Sequence, residues 1–265
     1  MKFKRLIVIF FSFCITSGTA LAADRPLVDL GRWSETELAG IITAAHRIAA
    51  PGERIAEISR HFLDTPYVAD TLVGGPQTAE QLVIDFAGVD CFTFLDEVEA
   101  LRRASAFADF TEQLKQVRYR AGKVAYQNRR HFFSDWVADT DADIIGDVTA
   151  TVGQGKAQVV VKQLNLKSDG TLWLPGIPVR RREITYIPTS EIDQAVLSAL
   201  RIGDYVGIYN VDAGQEVSHV GLIVKDKGRV MLRHASSFSS ARRVVDVDLL
   251  KYLQGKPGLV VYRVR

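Results

Sequence analysis

The hydrophobic period of this chain changes near Gly203, and this change limits the folds that the sequence can adopt. In roughly the first hundred residues apolar positions recur at spacings of three and four, as on one face of a helix. Beyond Gly203 apolar and polar residues alternate, as in half-buried strands separated by short turns. The predicted strands are Tyr205 to Tyr209, Val217 to Lys225, Arg229 to Ala235, Val244 to Asp248 and Leu259 to Val264. Helices followed by an antiparallel meander indicate an α+β fold, with helices packed on the sheet.

Three helices are predicted in the first part of the chain. The first begins at a capping box formed by Ser34 and Glu37, and the second follows Pro51. In the third helix Cys91 lies in the first turn, where the unpaired backbone N–H groups and the helix dipole favour a thiolate. Four charged side chains of this helix are expected to point outward: Asp96, Glu97, Arg102 and Arg103.

The segment between Arg103 and Ser190 has a mixed pattern. It predicts a helix near Phe110 to Val117, a strand at Gln158 to Leu164 and a basic turn at Arg180 to Arg182, and a further helix from Ser190 to Leu200 follows. No internal repeat or linker in the sequence divides the chain into domains. No metal-ligand spacing in the sequence suggests a metal cofactor.

The amino terminus has the pattern of a secretory signal, with basic residues, a short apolar run and small residues that end at Ala22. Cleavage there leaves one domain, residues 23–265, exported without a membrane anchor. The formal charge of +2 becomes −1 once Lys2, Lys4 and Arg5 are removed, so charge does not indicate nucleic acid as a partner. No protein partner is inferred.

Cys91 is the only thiol that remains after this cleavage, because Cys14 leaves with the signal. An unpaired cysteine in an exported protein is either a small buried apolar residue or a nucleophile. Cysteine counting does not separate the two.

Two histidines lie on neighbouring predicted strands. If the turn uses Asp226 and Lys227, His219 lies directly opposite His234; if it uses Lys227 and Gly228, the two are diagonal neighbours. Both registers place the imidazoles on one face, whereas a three-residue loop would separate them. In the first two cases His219 can act as the base for the Cys91 thiol, with His234 as its orienting partner and helix N–H groups as oxyanion donors.

Six ordered motifs resemble the N-acetylmuramoyl-L-alanine amidase-like family, within the papain-like NlpC-type cysteine hydrolases of peptidoglycan. They are Thr65-Pro66-Tyr67-Val68, Val89-Asp90-Cys91-Phe92-Thr93-Phe94, Arg130-His131-Phe132-Phe133-Ser134-Asp135-Trp136, Leu200-Arg201-Ile202-Gly203-Asp204, Val217-Ser218-His219-Val220-Gly221 and His234-Ala235-Ser236-Ser237. The resemblance covers nearly all of the chain after the signal.

This resemblance implies a papain-like core in which Cys91 is the nucleophile, His219 the base and His234 the orienting residue. It implies substrate-binding positions at Tyr67, His131, Trp136 and Ser218, and no cofactor or metal. The long segment between the cysteine helix and the histidine strands looks like a family-specific insertion that shapes specificity.

The implied reaction is hydrolysis of the amide between N-acetylmuramic acid and L-alanine in peptidoglycan fragments in the periplasm. Two alternatives remain at this point. The same type of site could cut the γ-D-glutamyl to diaminopimelate bond, or the chain could be a wall-binding module without catalysis.

Overall fold

The computed structural model describes residues 25–140 and 144–265, so the predicted signal at residues 1–22 lies outside the described residues. The helices are α1 (Glu35–His46), α2 (Pro51–Arg60), α3 (Cys91–Arg103), α4 (Phe107–Arg118), α5 (Asp135–Ala138), α6 (Thr149–Gly153), α7 (Gln194–Ala199) and α8 (Leu249–Leu253). The strands are β1 (Leu27–Asp29), β2 (Val83–Asp85), β3 (Ile145–Asp147), β4 (Gln158–Leu164), β5 (Arg180–Pro188), β6 (Tyr205–Tyr209), β7 (Val217–Asp226), β8 (Arg229–Ala235), β9 (Val244–Asp248) and β10 (Gly258–Val264). None of the helices in these ranges has the length and apolar character to cross a bilayer.

Local sequence signals set where the early helices begin. The Ser34 hydroxyl accepts from the Glu37 N–H and the Glu37 carboxylate accepts from the Ser34 N–H, which completes the predicted capping box of α1. Pro51 occupies the first turn of α2, and Asp90 caps α3 directly before Cys91. The three predicted helices are therefore confirmed.

The main sheet is antiparallel, in the order β4-β5-β10-β6-β7-β8-β9, and β3 pairs with β10. The predicted meander is correct for strands β6 to β9 and wrong for its fifth strand, because β10 pairs with β5 and β6 and not with β9. The last strand, β10, lies between β5 and β6 and joins the meander to the β4–β5 hairpin. An antiparallel sheet with helices packed on it confirms the α+β prediction.

Alternation along β6 places apolar side chains in two cores, one on each face of the sheet. Tyr205 and Tyr209 pack in the core that contains the apolar faces of α1 to α4. Val206 and Ile208 pack in a second core with residues of α7 and α8. Because successive strand residues point to opposite faces, a single strand supplies both cores.

The prediction that Asp96 and Glu97 point outward is wrong. Both are buried, and their carboxylates pair with the Arg118 guanidinium at 2.8 Å and 3.1 Å. The reason is that α4 packs against α3 and covers its polar side with Arg118. A buried charge needs such a partner.

The predicted basic turn at Arg180 to Arg182 is also wrong, because these residues begin β5. Arg180 and Arg182 donate to one oxygen of the buried Asp135 carboxylate at 2.9 Å and 2.8 Å. We call residues 158–188 the β4–β5 arm. These two ion pairs attach the arm to α5.

Candidate active site

Cys91 is the first residue of α3, and its position depends on the cap. The Asp90 carboxylate accepts hydrogen bonds from the backbone N–H groups of Phe92 at 2.8 Å and Thr93 at 2.7 Å. The backbone N–H of Cys91, also in the first turn, does not donate to the Asp90 carboxylate. The Cys91 side chain is partly exposed and is a free thiol.

The two histidines are joined across β7 and β8. The turn uses Lys227 and Gly228, and Leu222 pairs with Arg233, so His219 and His234 are diagonal neighbours on one face. This is the second of the two registers considered from the sequence. The His219 Nε2 lies 2.7 Å from the His234 Nδ1, within hydrogen-bond distance.

A pocket of about 270 Å³ brings the thiol and one imidazole together. It is lined by Cys91, Phe92, His131, Phe132, Phe133, Trp173, Leu174, Gln215, Glu216, Val217, Ser218, His219 and Val220. The backbone of Val220, the residue after His219, is close enough to the Cys91 sulfur to lower the pKa of the thiol. The strand that carries His219 therefore contacts the amino terminus of α3.

Tyr252 of α8 completes the surroundings of the histidine pair. Its ring centroid lies 4.9 Å from that of His234 and 5.9 Å from that of His219. Burial and then the charge of a Cys91 thiolate raise the pKa of Tyr252 to about 12. One side chain thus lies close to all three groups of the predicted site.

The ionisable groups of the site favour their neutral forms. Burial and then the neighbouring Asp90 carboxylate raise the pKa of Cys91 to about 12. Burial, and after it the charges of His234 and Lys256, lower the pKa of His219 to about 3. Burial lowers the pKa of His234 to about 4.

The first turn of the helix favours a thiolate, as expected, because the backbone N–H groups of Cys91 and Phe92 lower the pKa of the thiol, but burial and the Asp90 carboxylate outweigh them. The helix terminus already binds the carboxylate of Asp90, which opposes a second negative charge next to it. These pKa shifts favour a neutral thiol and a neutral imidazole as the resting pair.

The four predicted substrate-binding positions lie in different surroundings. His131 and Ser218 line the pocket. Tyr67 is half-buried and close enough to Cys91 for a thiolate there to raise its pKa, an effect secondary to burial. Trp136 does not line the pocket, because it is 3% exposed and packs edge-on against Tyr205 in the core. A binding role for Trp136 is therefore not supported.

Three residues at this site were missed by the sequence analysis: Trp173, Leu174 and Tyr252. Trp173 and Leu174 belong to the loop of the β4–β5 arm, and no local pattern relates that loop to Cys91. The short helix that carries Tyr252 interrupts the alternating region of the sequence. The only signal in the sequence was an aromatic side chain between two predicted strands.

An α+β protein with a thiol and an imidazole at one pocket, and a second imidazole within hydrogen-bond distance of the first, has the groups that a cysteine hydrolase requires. The sequence model of the N-acetylmuramoyl-L-alanine amidase-like family, AmiA-like, matches residues 57–259. The chain belongs to this family.

Solved structures share the fold. A protein from Legionella pneumophila is 22% identical, with a TM-score of 0.73, over 87% of this chain and 94% of its own. An N-acetylmuramoyl-L-alanine amidase from Bacteroides uniformis is 25% identical, with a TM-score of 0.69, over 81% of this chain and 99% of its own. A candidate xylanase from Bacteroides fragilis is 28% identical, with a TM-score of 0.64, over 78% of this chain and 99% of its own. No curated protein sequence matches the chain.

Proposed function

We propose that this protein is a cysteine hydrolase that cleaves the amide between the lactyl group of N-acetylmuramic acid and L-alanine in peptidoglycan fragments. The observation that carries the proposal is the 2.7 Å contact between His219 and His234 at the pocket that also contains the free thiol of Cys91. Membership of the amidase-like family supports the choice of bond.

The proposed reaction starts from neutral groups. The His219 Nε2 carries the proton that it donates to the His234 Nδ1, so the His219 Nδ1 has a free lone pair. As the Cys91 sulfur attacks the lactyl carbonyl carbon, the thiol proton moves to this Nδ1. The electron pair of the carbonyl moves to its oxygen, and the N–H of Cys91 donates to that oxyanion.

Two further steps complete the turnover. The C–N bond breaks and the proton on His219 passes to the departing amine of L-alanine, which leaves a thioester on Cys91. Water then gives a proton to His219 and attacks the thioester, and that proton returns to the sulfur as the acid is released. His234 acts as a positioning residue throughout.

The proposal includes the NlpC-type, papain-like relationship and a single catalytic domain at residues 23–265. It also includes export to the periplasm, with residues 1–22 as a cleaved signal. The basic, apolar and small-residue order of that segment supports export.

Product identification tests the proposal. Purified protein without residues 1–22 is incubated with defined disaccharide peptides, and the products are analysed by mass spectrometry. We expect free disaccharide and an intact stem peptide from the unmodified protein, and no products from Cys91→Ala. Ser198→Ala, at an exposed position on α7, serves as the control and should retain full activity.

Other outcomes identify the alternatives. A sugar that keeps a dipeptide indicates an endopeptidase that cuts after γ-D-glutamate. Binding without any cleavage, equal in the unmodified protein and in Cys91→Ala, indicates a wall-binding module. Full cleavage by a folded Cys91→Ala variant would contradict the mechanism.

A further inference from the structure

One wall of the pocket takes no part in the proposed proton transfers. It is formed by Trp173 and Leu174, which the loop of the β4–β5 arm places beside Cys91. Trp173 is 41% exposed, although large aromatic side chains are normally more buried. An exposed indole at the edge of a reactive pocket is a candidate contact for substrate.

The Trp173 side chain is exposed but held in one orientation. Its Nε1–H donates to the Ala213 carbonyl at 3.2 Å, and the Lys167 ammonium lies 4.9 Å from its ring centroid. Its backbone N–H donates to the carbonyl of Asn165 at 3.1 Å. The wall is therefore formed before a ligand arrives, which reduces the entropy lost on binding.

The loop is fixed from beneath by the buried side chain of Asn165. Its amide nitrogen donates to the carbonyls of Leu174 at 3.0 Å and Ile177 at 2.7 Å, and its amide oxygen accepts from the Leu174 N–H at 2.7 Å. These contacts hold the two wall residues in place without using the exposed face of either one.

The polar lining of the pocket contains no arginine or lysine among the residues that the structure describes. Burial lowers the pKa of His131 to about 4, which favours its neutral form, and burial raises the pKa of Glu216. Gln215 and Ser218 add uncharged polar groups. The pocket thus combines an apolar wall with polar groups that can form hydrogen bonds.

We propose that Trp173 is a specificity-determining residue whose indole binds the pyranose ring of the substrate's amino sugar. The inference rests on the proposed function. It adds that this pocket receives the sugar side of the scissile bond. A pyranose ring presents C–H groups that pack on an aromatic face, and its hydroxyl and acetamido groups need hydrogen-bonding partners. The stem peptide carries carboxylates, whereas none of the described residues that line this pocket is an arginine or a lysine; the Lys167 ammonium lies over the Trp173 ring itself.

Kinetics with paired substrates test the assignment. One substrate is a disaccharide peptide, and the other is the lactoyl peptide with the same scissile amide and no sugar. We expect Trp173→Ala to raise KM for the first by roughly tenfold, the size of one aromatic contact, and to leave the second unchanged. Trp173→Phe should recover most of the loss, and Val159→Ala, exposed on β4 outside the pocket, should have no effect.

Calorimetric binding of the free disaccharide to Cys91→Ser gives a readout that does not depend on cleavage. Trp173→Ala in that background should weaken binding by roughly tenfold. If the unmodified protein cleaves neither substrate but the disaccharide binds through Trp173, the proposed reaction fails and the sugar site stands. If cleavage occurs and Trp173→Ala changes KM for both substrates equally, or for neither, the sugar site is wrong and the reaction stands.

Discussion

At the residue scale, the histidine pair determines how the reaction depends on pH. The base form of His219 is its neutral form, which is lost as the pH falls through its pKa of about 3. We therefore expect the acid limb of kcat/KM to lie well below the ordinary histidine pKa of about 6.5. The measurement is a pH profile of kcat/KM on a disaccharide peptide. An acid limb near pH 6.5 would contradict the lowered pKa of His219.

His234 provides a second test at this scale. His234→Ala removes the acceptor of the His219 Nε2–H, so the proton can move to the Nδ1 that must face the thiol. We expect kcat to fall by about 100-fold with little change in KM. His234→Asn retains an acceptor oxygen and should recover part of the rate. If both variants lose the same activity, the hydrogen bond is not what positions His219.

Tyr252 allows packing to be separated from chemistry. Its ring lies against both imidazoles, so Tyr252→Ala should expose their hydrogen bond to water and lower kcat, while Tyr252→Phe should keep kcat near normal. Both variants are compared by kcat, and by thermal unfolding as a control for stability. An equal loss in Tyr252→Phe would assign a direct role to the hydroxyl instead.

The sequence could place Cys91, His219 and His234 on their elements because caps, turns and alternation are local signals. It could not find Tyr252 or Trp173, because their proximity to Cys91 arises from the packing of segments far apart in the chain. The opposite error occurred at Trp136, which shares a motif with the pocket residue His131 but turns into the core.

At the element scale, the residue that caps α3 also affects the pKa of the Cys91 thiol. Asp90 both starts the helix and raises the pKa of Cys91, second only to burial. Asp90→Asn keeps a capping side chain and removes the charge, so the Cys91 pKa should fall. The rate of iodoacetamide alkylation, measured against pH, should then begin to rise at a lower pH than in the unmodified protein.

A matched variant separates this effect from a general loosening of the helix start. Ser34→Ala removes the cap of α1 and leaves α3 unchanged. It should destabilise the protein by about 1 kcal/mol without altering alkylation. An unchanged profile in Asp90→Asn would show that burial alone controls the thiol.

Element boundaries were predictable where a cap or a period marks them, as at α1, α3, β6 and β8. The start of β5 was not, because three consecutive arginines resemble a solvated turn. These arginines pair with Lys162 to Leu164 of β4, and Arg180 donates to Asp135, which lies 45 residues before it. Composition could not reveal that two of these side chains have a buried partner.

At the scale of the whole molecule, the connection between the arm and the meander could not be read from local patterns. β10 is the last strand in the chain, yet it pairs with β5, β6 and β3. Such pairings join segments that are far apart in sequence, and alternation does not specify which edge a strand joins. The same pairing positions the Trp173 wall relative to the strands that carry the histidines.

The buried Arg118 cluster carries the last prediction, because it links α3, α4 and β2. Arg118 donates to Asp96 and Glu97 of α3 and to the Val83 carbonyl of β2. Arg118→Met would leave two carboxyl groups buried without their cation, and we expect a loss of about 3 to 5 kcal/mol in the free energy of unfolding at neutral pH. Arg229→Met, which breaks an exposed pair with Asp226, should cost less than about 1 kcal/mol.

The pH dependence of that loss identifies its cause. Burial raises the pKa of Glu97 to about 8, even with Arg118 present, so the folded protein holds this proton more tightly than the unfolded chain does. A carboxyl group with a raised pKa contributes its full stability below its pKa in the unfolded chain, about 4.5. This contribution is lost as the pH rises through its pKa in the folded protein. Removing Arg118 raises the carboxyl pKa values further, so urea unfolding should show a smaller deficit for Arg118→Met at pH 5 than at pH 8. A deficit that is the same at both pH values would mean that Arg118 stabilises the molecule through packing and not through its charge.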